Sequence, residues 1–136
     1  MSDTFQKLAL VPEGEHIVRL DHGEKHWYMN KRPDLHLFFW MENSLDYDGV
    51  ILPGYFQVRE WINEKTFRAG PKSKYFRMYQ ACFGPVDSDT FRTDDFRGID
   101  LRALVKNIKR DSSKEALAPV NHYSKVDRIL GKADED

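Results

Sequence analysis

The sequence predicts a mainly β chain with one helix, placed between the third and fourth of five strands. Apolar residues alternate at a period near two in 15–29, 34–43, 46–61, 96–110 and 121–130. The segment 73–83 switches to helical spacing instead. Three strands, a helix and two strands is the element order of an OB-fold, a five-stranded, partly open Greek-key barrel. An open α+β sandwich would produce the same string.

In chain order, 1–13 forms a loosely attached lead-in, with Pro12 and Gly14 marking the start of a domain over 14–130. In "EHIVRLDHGEKHWYM" Ile17 and Arg19 alternate with His16, Val18 and Leu20, and "DHGEK" predicts a turn between two strand pieces. Pro33 precedes "DLHLFFWMEN", where Leu35, Leu37, Phe39 and Met41 point one way and His36, Phe38 and Trp40 the other. Gly49, Pro53 and Gly54 mark 46–61 as a bent or bulged strand. In "SKYFRMYQACFGP" Phe76, Tyr79 and Phe83 recur at helical spacing, Ser73 caps the start, and Gly84 and Pro85 stop the helix. Residues 86–95 carry four acids and one arginine and predict an exposed loop. In 96–110 Leu101, Ala103 and Val105 alternate with Arg102, Leu104 and Lys106, and Gly98 with the β-branched content favours a strand over a helix. A last strand covers 121–130, and 131–136 closes as an acidic tail.

A chain of 136 residues, 40% hydrophobic and 32% charged, predicts one globular domain rather than a disordered segment. The 21 basic and 22 acidic residues nearly cancel, so net charge by itself points to no polyanionic partner. The single Cys82 excludes an intrachain disulfide and a cysteine-based zinc site, and fits a reducing, cytoplasmic location. With no apolar run of about 18 residues and no basic-then-apolar leader, neither membrane insertion nor secretion is expected.

The near-zero total hides local asymmetry. From Arg59 to Arg77 six basic residues stand against two acids, and from Arg97 to Lys114 again six against two, whereas 86–95 and the tail are acidic. Aromatics lie beside these cations: Trp27 and Tyr28 near Lys31 and Arg32, Tyr55 near Arg59 and Trp61. Holding a single strand without reading its sequence takes cations for phosphates and flat rings for unpaired bases. Each pair taken singly fits a core aromatic beside a solvated strand edge better than a binding site; for the set together the two readings stand level. In an OB-fold the outward face of strands two and three binds oligonucleotides. On that face the candidates are His36, Phe38, Trp40, Tyr55 and Trp61, joined by Trp27 and Tyr28. The candidate phosphate contacts are Lys31, Arg32, Arg59, Lys65, Arg68, Lys72 and Lys74, followed by Lys106, Lys109 and Arg110. The competing account covers the 34–43 strand with the helix or with a second subunit, which would make the protein a homo-oligomer.

"LVPEGEHIVRL", "DLHLFFWMEN", "GVILPGYFQV", "SKYFRMYQACFG" and the closing pattern G-x-x-L-x-A-x-V-K…Y-S-K-V-D-x-I-L span roughly residues 10–130. In this order they resemble the single-domain OB-fold single-stranded DNA-binding proteins of bacteriophages and mobile genetic elements. The resemblance implies a protein that coats single-stranded DNA during replication or recombination, with the acidic tail recruiting partner proteins. The tail "GKADED" departs from that pattern in being short and without a terminal aromatic.

No enzyme is expected, and no cofactor or metal. His22, Glu24 and His26 in "HGEKH" lack the His-Glu-x-x-His order. "VDSDTFRTDD" misses the glycine and closing glutamate of a calcium loop. Cys82 sits among Met78, Tyr79 and Phe83 as a small buried thiol, and no glycine-rich phosphate cradle is present. The reading from a different class is a protein–protein interaction module of a phage or plasmid, such as a host-factor inhibitor. Exposed aromatics flanked by charge suit an interface as well as a base-stacking groove.

Overall fold

A computed structural model of the chain describes residues 10–42, 46–109 and 122–133. Its elements are β1 (Gly14–Tyr28), β2 (Arg32–Met41), β3 (Ile51–Gln57), β4 (Glu60–Trp61), β5 (Thr66–Arg68), α1 (Lys74–Phe83), β6 (Thr90–Arg92), β7 (Leu101–Ile108) and β8 (Tyr123–Lys132). The five long strands form one antiparallel sheet in the order β3-β2-β1-β7-β8, and the three short ones a second sheet in the order β4-β5-β6.

The alternation in β2 sets the inner face of the large sheet. Leu35, Leu37, Phe39 and Met41 are all fully buried, and Val18, Leu52, Phe56, Leu101, Ala103, Val105 and Val126 join them from the neighbouring strands. Each large apolar side chain removed from water contributes roughly 1.5–3 kcal/mol, which secures the register, because a one-residue slip would expose the whole set. β1 serves two neighbours: Gly14–Val18 pairs with β7 and Val18–Tyr28 with β2. A bulge between Leu20 and His22 leaves Asp21 without a partner and bends the strand between them.

α1 begins where expected. Ser73 Oγ accepts from the Phe76 amide (3.1 Å), and Gly84 ends the helix at φ 86°, a left-handed value that suits glycine. The helix buries Tyr75, Phe76, Met78 and Cys82. Against it the small sheet supplies Phe67 and Phe91, whose rings meet Tyr75 at 4.9 and 5.2 Å, and the chain after β6 supplies Phe96 at 5.5 Å. Much of the aromatic content is thus spent on this layer.

The structure corrects several expectations. "DHGEK" is not a turn; it lies inside β1, opposite β2. Gly23 is there because of close approach: a Cβ would stand 2.9 Å from Leu37 Cδ2 and 3.0 Å from the Thr93 carbonyl oxygen. The 46–61 segment is not one bent strand but a turn, β3, and the separate β4. Pro53 is tolerated within β3 because that strand is hydrogen-bonded on one side only. The 86–95 segment is not wholly an exposed loop, for it contains β6, with Phe91 and Thr93 buried. β5 and β6 had no counterpart in the sequence reading. The lead-in is tied down from Val11 onward: Val11 is buried, its amide donates to Ser124 Oγ (2.8 Å), and the Asn107 amide donates to Glu13 (2.8 Å). β8 runs through Gly131 and Lys132, residues that composition assigns to the tail. The large sheet does not close into a barrel, since no hydrogen-bonded ladder joins β3 to β8 among the described residues. Its edges nevertheless come close at one point, where a Cβ on Gly54 would lie 3.1 Å from the Val126 carbonyl oxygen.

No described helix is long and apolar enough to cross a membrane.

Candidate nucleic-acid interface

Strand register assembles the outer face of β1, β2 and β3 row by row. Arg19, Trp40 and Ile51 lie abreast; then His22, Phe38 and Pro53; then Glu24, His36 and Tyr55; then His26, Asp34 and Gln57. Phe38, Trp40, His36 and Tyr55 are partly exposed, neither sealed in a core nor fully in solvent. The rings form a ladder: His22 stacks on Phe38 (centroids 4.8 Å apart), His26 stacks on His36 (3.8 Å), and Tyr55 meets His36 edge-on (4.7 Å). The helix packs mainly on β8 and less on β3.

Carboxylates tune the ladder. Burial pulls the His22 pKa down, but hydrogen bonds to Asp21 (2.8 Å) and Glu24 (2.9 Å) outweigh it, so the His22 pKa is raised. Glu24 also bonds His26 (2.9 Å), and its two histidine partners hold its own pKa below the usual carboxylate range. His36 goes the other way: burial and the neighbouring His26 lower it despite Asp34 3.3 Å away. "HGEKH" is therefore a hydrogen-bonded surface cluster, and no group of three potential metal ligands is found among the described residues.

A cleft of about 840 Å³ opens beside the ring ladder, between the end of β3 and the Gly70–Lys74 segment that leads into α1. Arg32, Arg59, Lys72 and Lys74 line it, together with Asp34, Tyr55 and Gln57. Arg59 pairs with Asp89 (3.3 Å), and both are substantially exposed. Exposed pairs of this kind are worth about 0–1 kcal/mol, so the guanidinium can turn to another anion at little cost. Burial, then the neighbouring Tyr123 hydroxyl, pushes the Tyr55 hydroxyl up to about 12; the two tyrosines lie on β3 and β8, whose edges are not paired.

The other candidates fall in three places. Trp27, Tyr28, Lys31 and Arg32 form the tip of the β1–β2 hairpin, where Trp27 and Tyr28 are exposed and the Arg32 guanidinium lies 4.4 Å over the Tyr28 ring. Met29 and Asn30 complete the turn with positive φ values of 55° and 58°, and Lys31 N–H donates to the Tyr28 carbonyl (3.0 Å). Trp61, Lys65 and Arg68 lie on the small sheet; Trp61 Nε1 donates to the Asp34 carbonyl (3.2 Å), and Arg68 pairs with Glu60 (3.0 Å). Lys106 and Lys109 lie on or just past β7, whereas Arg110 lies outside the described residues. The structure thus brings together the β2–β3 rings and the cleft cations; Trp61 reaches β2 through its bond to Asp34, whereas Lys65 and Arg68 do not line the cleft. Sequence reasoning missed Arg19, His22 and His26 on the ring face, and Lys125 on β8. His22 and His26 share one face by period two, a signal hidden by taking Gly23 for a turn, whereas Arg19 joins them only through the bulge at Asp21, which alternation along the chain does not show.

Burial raises the Cys82 thiol to about 11, so it is a buried apolar group rather than a nucleophile.

Compared with known proteins, the chain matches no family model, no curated protein and no solved structure.

Proposed function

We propose that this chain is an OB-fold-like domain that binds single-stranded DNA with little sequence preference and protects it during replication or recombination, in the cytoplasm of a phage- or plasmid-bearing cell. One observation carries the reading: strand register sets the partly exposed Phe38, Trp40, His36 and Tyr55 side by side with His22 and His26 on one face of β1, β2 and β3, bordered by a cleft with four cations. Rings spaced by strand register offer stacking surfaces to successive unpaired bases, and every base has a flat face, so little sequence is read. The strand order, the helix after the third long strand and the unpaired seam between β3 and β8 support a partly open Greek-key barrel. In such a barrel the β1–β2 hairpin, with Trp27, Tyr28, Lys31 and Arg32, stands at the edge of the binding face. The acidic tail then offsets the basic cleft and offers a contact to replication or recombination proteins.

A second reading rests on the hairpin tip. Met29 is 68% exposed beside Trp27 and Tyr28, an apolar surface that a phosphate backbone does not need and a protein partner does.

Tryptophan fluorescence during titration with mixed-sequence single-stranded DNA, matched duplex and single-stranded RNA, at two salt concentrations, decides between them. Single-strand binding gives quenching that weakens with salt, at a log–log slope near −0.7 per phosphate contacted. Flat curves for all three ligands at low salt would end the nucleic-acid reading and turn attention to a protein partner.

A further inference from the structure

Lys106 of β7 and Lys125 of β8 stand directly opposite each other, on the outer side of the ladder. Like charges facing across an antiparallel pair destabilise it. Neither lysine has an ion pair within 4 Å among the described residues, and Asp127 offsets their repulsion only from a longer distance. A third lysine, Lys74 at the start of α1, reaches the same place and binds Asp127 (3.2 Å). Asp127 is the extra residue of a β8 bulge, between the pairs Val105–Val126 and Leu104–Arg128. Its carboxylate is the acid at this spot; Arg128 stands 3.6 Å from its other oxygen, so it is already countered from two sides. Lys125 is partly buried; burial, then Lys74 and Lys106, lower its pKa, with Asp127 acting against them. Four cations around one carboxylate leave an excess of positive charge held in a fixed frame, a state that an arriving anion relieves.

We propose that Lys125, with Lys106 and Lys74, holds a backbone phosphate of the bound strand, extending the interface from the Tyr55 ring across the open β3–β8 seam onto β8. The inference rests on the single-strand reading and adds a phosphate subsite to it. Lys74 lines the cleft and also reaches Asp127, so it joins the two sites. Tyr55, beside Tyr123 two residues before Lys125, marks the crossing point, where a Cβ on Gly54 of β3 would lie 3.1 Å from the Val126 carbonyl oxygen of β8.

The test compares wild type, Lys125→Gln, Lys125→Arg and Lys132→Gln for binding of a thymidine oligonucleotide across a salt series. Lys132 lies at the other end of β8, over the Phe83 ring, and controls for loss of a charge as such. Lys125→Gln is expected to bind more weakly at low salt and to lose about 0.7 from the log–log salt slope, the share of one phosphate. Lys125→Arg and Lys132→Gln keep the slope. Because the glutamine variant removes a like-charge pair, its thermal midpoint should match or exceed that of wild type, so weakened binding cannot be laid to unfolding. A Lys125→Gln slope equal to wild type overturns the subsite and leaves the single-strand reading standing. Failure of wild type to bind the oligonucleotide at low salt overturns both.

Discussion

Phe38 and Trp40 show how much one residue's direction decides. Both follow the period-two alternation of β2, and both point away from the buried row of Leu37, Phe39 and Met41 onto the partly exposed face. Replacing Trp40 by alanine should therefore cost about 1–3 kcal/mol of single-strand affinity and leave the melting curve nearly unchanged. Calorimetry beside the fluorescence titration checks it, and a variant that unfolds instead would place Trp40 in the core. Gly23 makes the opposite point. Adding a methyl group at a position 3.0 Å from the Thr93 carbonyl oxygen forces the backbone of β1 or of the 93–96 segment to move. Gly23→Ala should lose roughly 1–3 kcal/mol of stability, read from urea melts. Composition showed that glycine as a turn former; only the neighbouring chain reveals it as a point of close approach.

At the scale of elements, the helix was legible because its signals are local. A serine cap, a 3.6-residue apolar stripe and a terminal glycine all lie within 73–84. Ser73→Ala should cost about 1 kcal/mol by leaving the Phe76 amide without its side-chain acceptor, measurable as a lowered thermal midpoint. The ring ladder was less legible, because its members come from three strands and their pairing depends on register. It carries a pH dependence with a definite sign. Burial and the neighbouring His26 hold the folded His36 pKa below the ordinary histidine value of 6.5, so His36 binds protons more weakly folded than unfolded. Its contribution to stability is therefore present above pH 6.5 and is lost as pH falls below that value. His22, raised by its carboxylates, acts in the opposite direction: its contribution is complete below pH 6.5 and is lost as pH rises through its folded value. Comparing wild type with His36→Phe isolates the first effect. Stability of the wild type relative to that variant should fall between pH 7.5 and 5.5, and a constant difference would show that His36 does not titrate as described.

For the whole molecule, the helix, the small sheet and the chain after β6 meet at Tyr75. Its ring touches Phe67, Phe91 and Phe96, and its hydroxyl donates to Asp95 (2.9 Å), which in turn accepts from the Arg92 amide (3.0 Å). Tyr75→Phe leaves a partly buried carboxylate one donor short, which should cost about 1–3 kcal/mol. Trp40 reports on the large sheet and Trp61 on the small one, so fluorescence and circular dichroism should trace a single urea transition. Two separate transitions would mean that the small sheet unfolds independently of the large one.

The sequence by itself determined what depends on neighbours along the chain: the mainly β character, the helix at Lys74–Phe83, the inward faces of β2, β3 and β7, and that Phe38, Trp40 and Tyr55 point away from those faces. Tertiary structure alone decided what depends on residues far apart in sequence. β5 and β6 are three residues each, too short for a periodic signal, and exist because they pair with each other. The cleft joins Arg32 to Arg59 and Lys74 through the fold, and the facing lysines of β7 and β8 are 19 positions apart in the chain. Periodicity records which way a side chain points; which other side chain it meets is set by strand register, and register is a property of the folded chain.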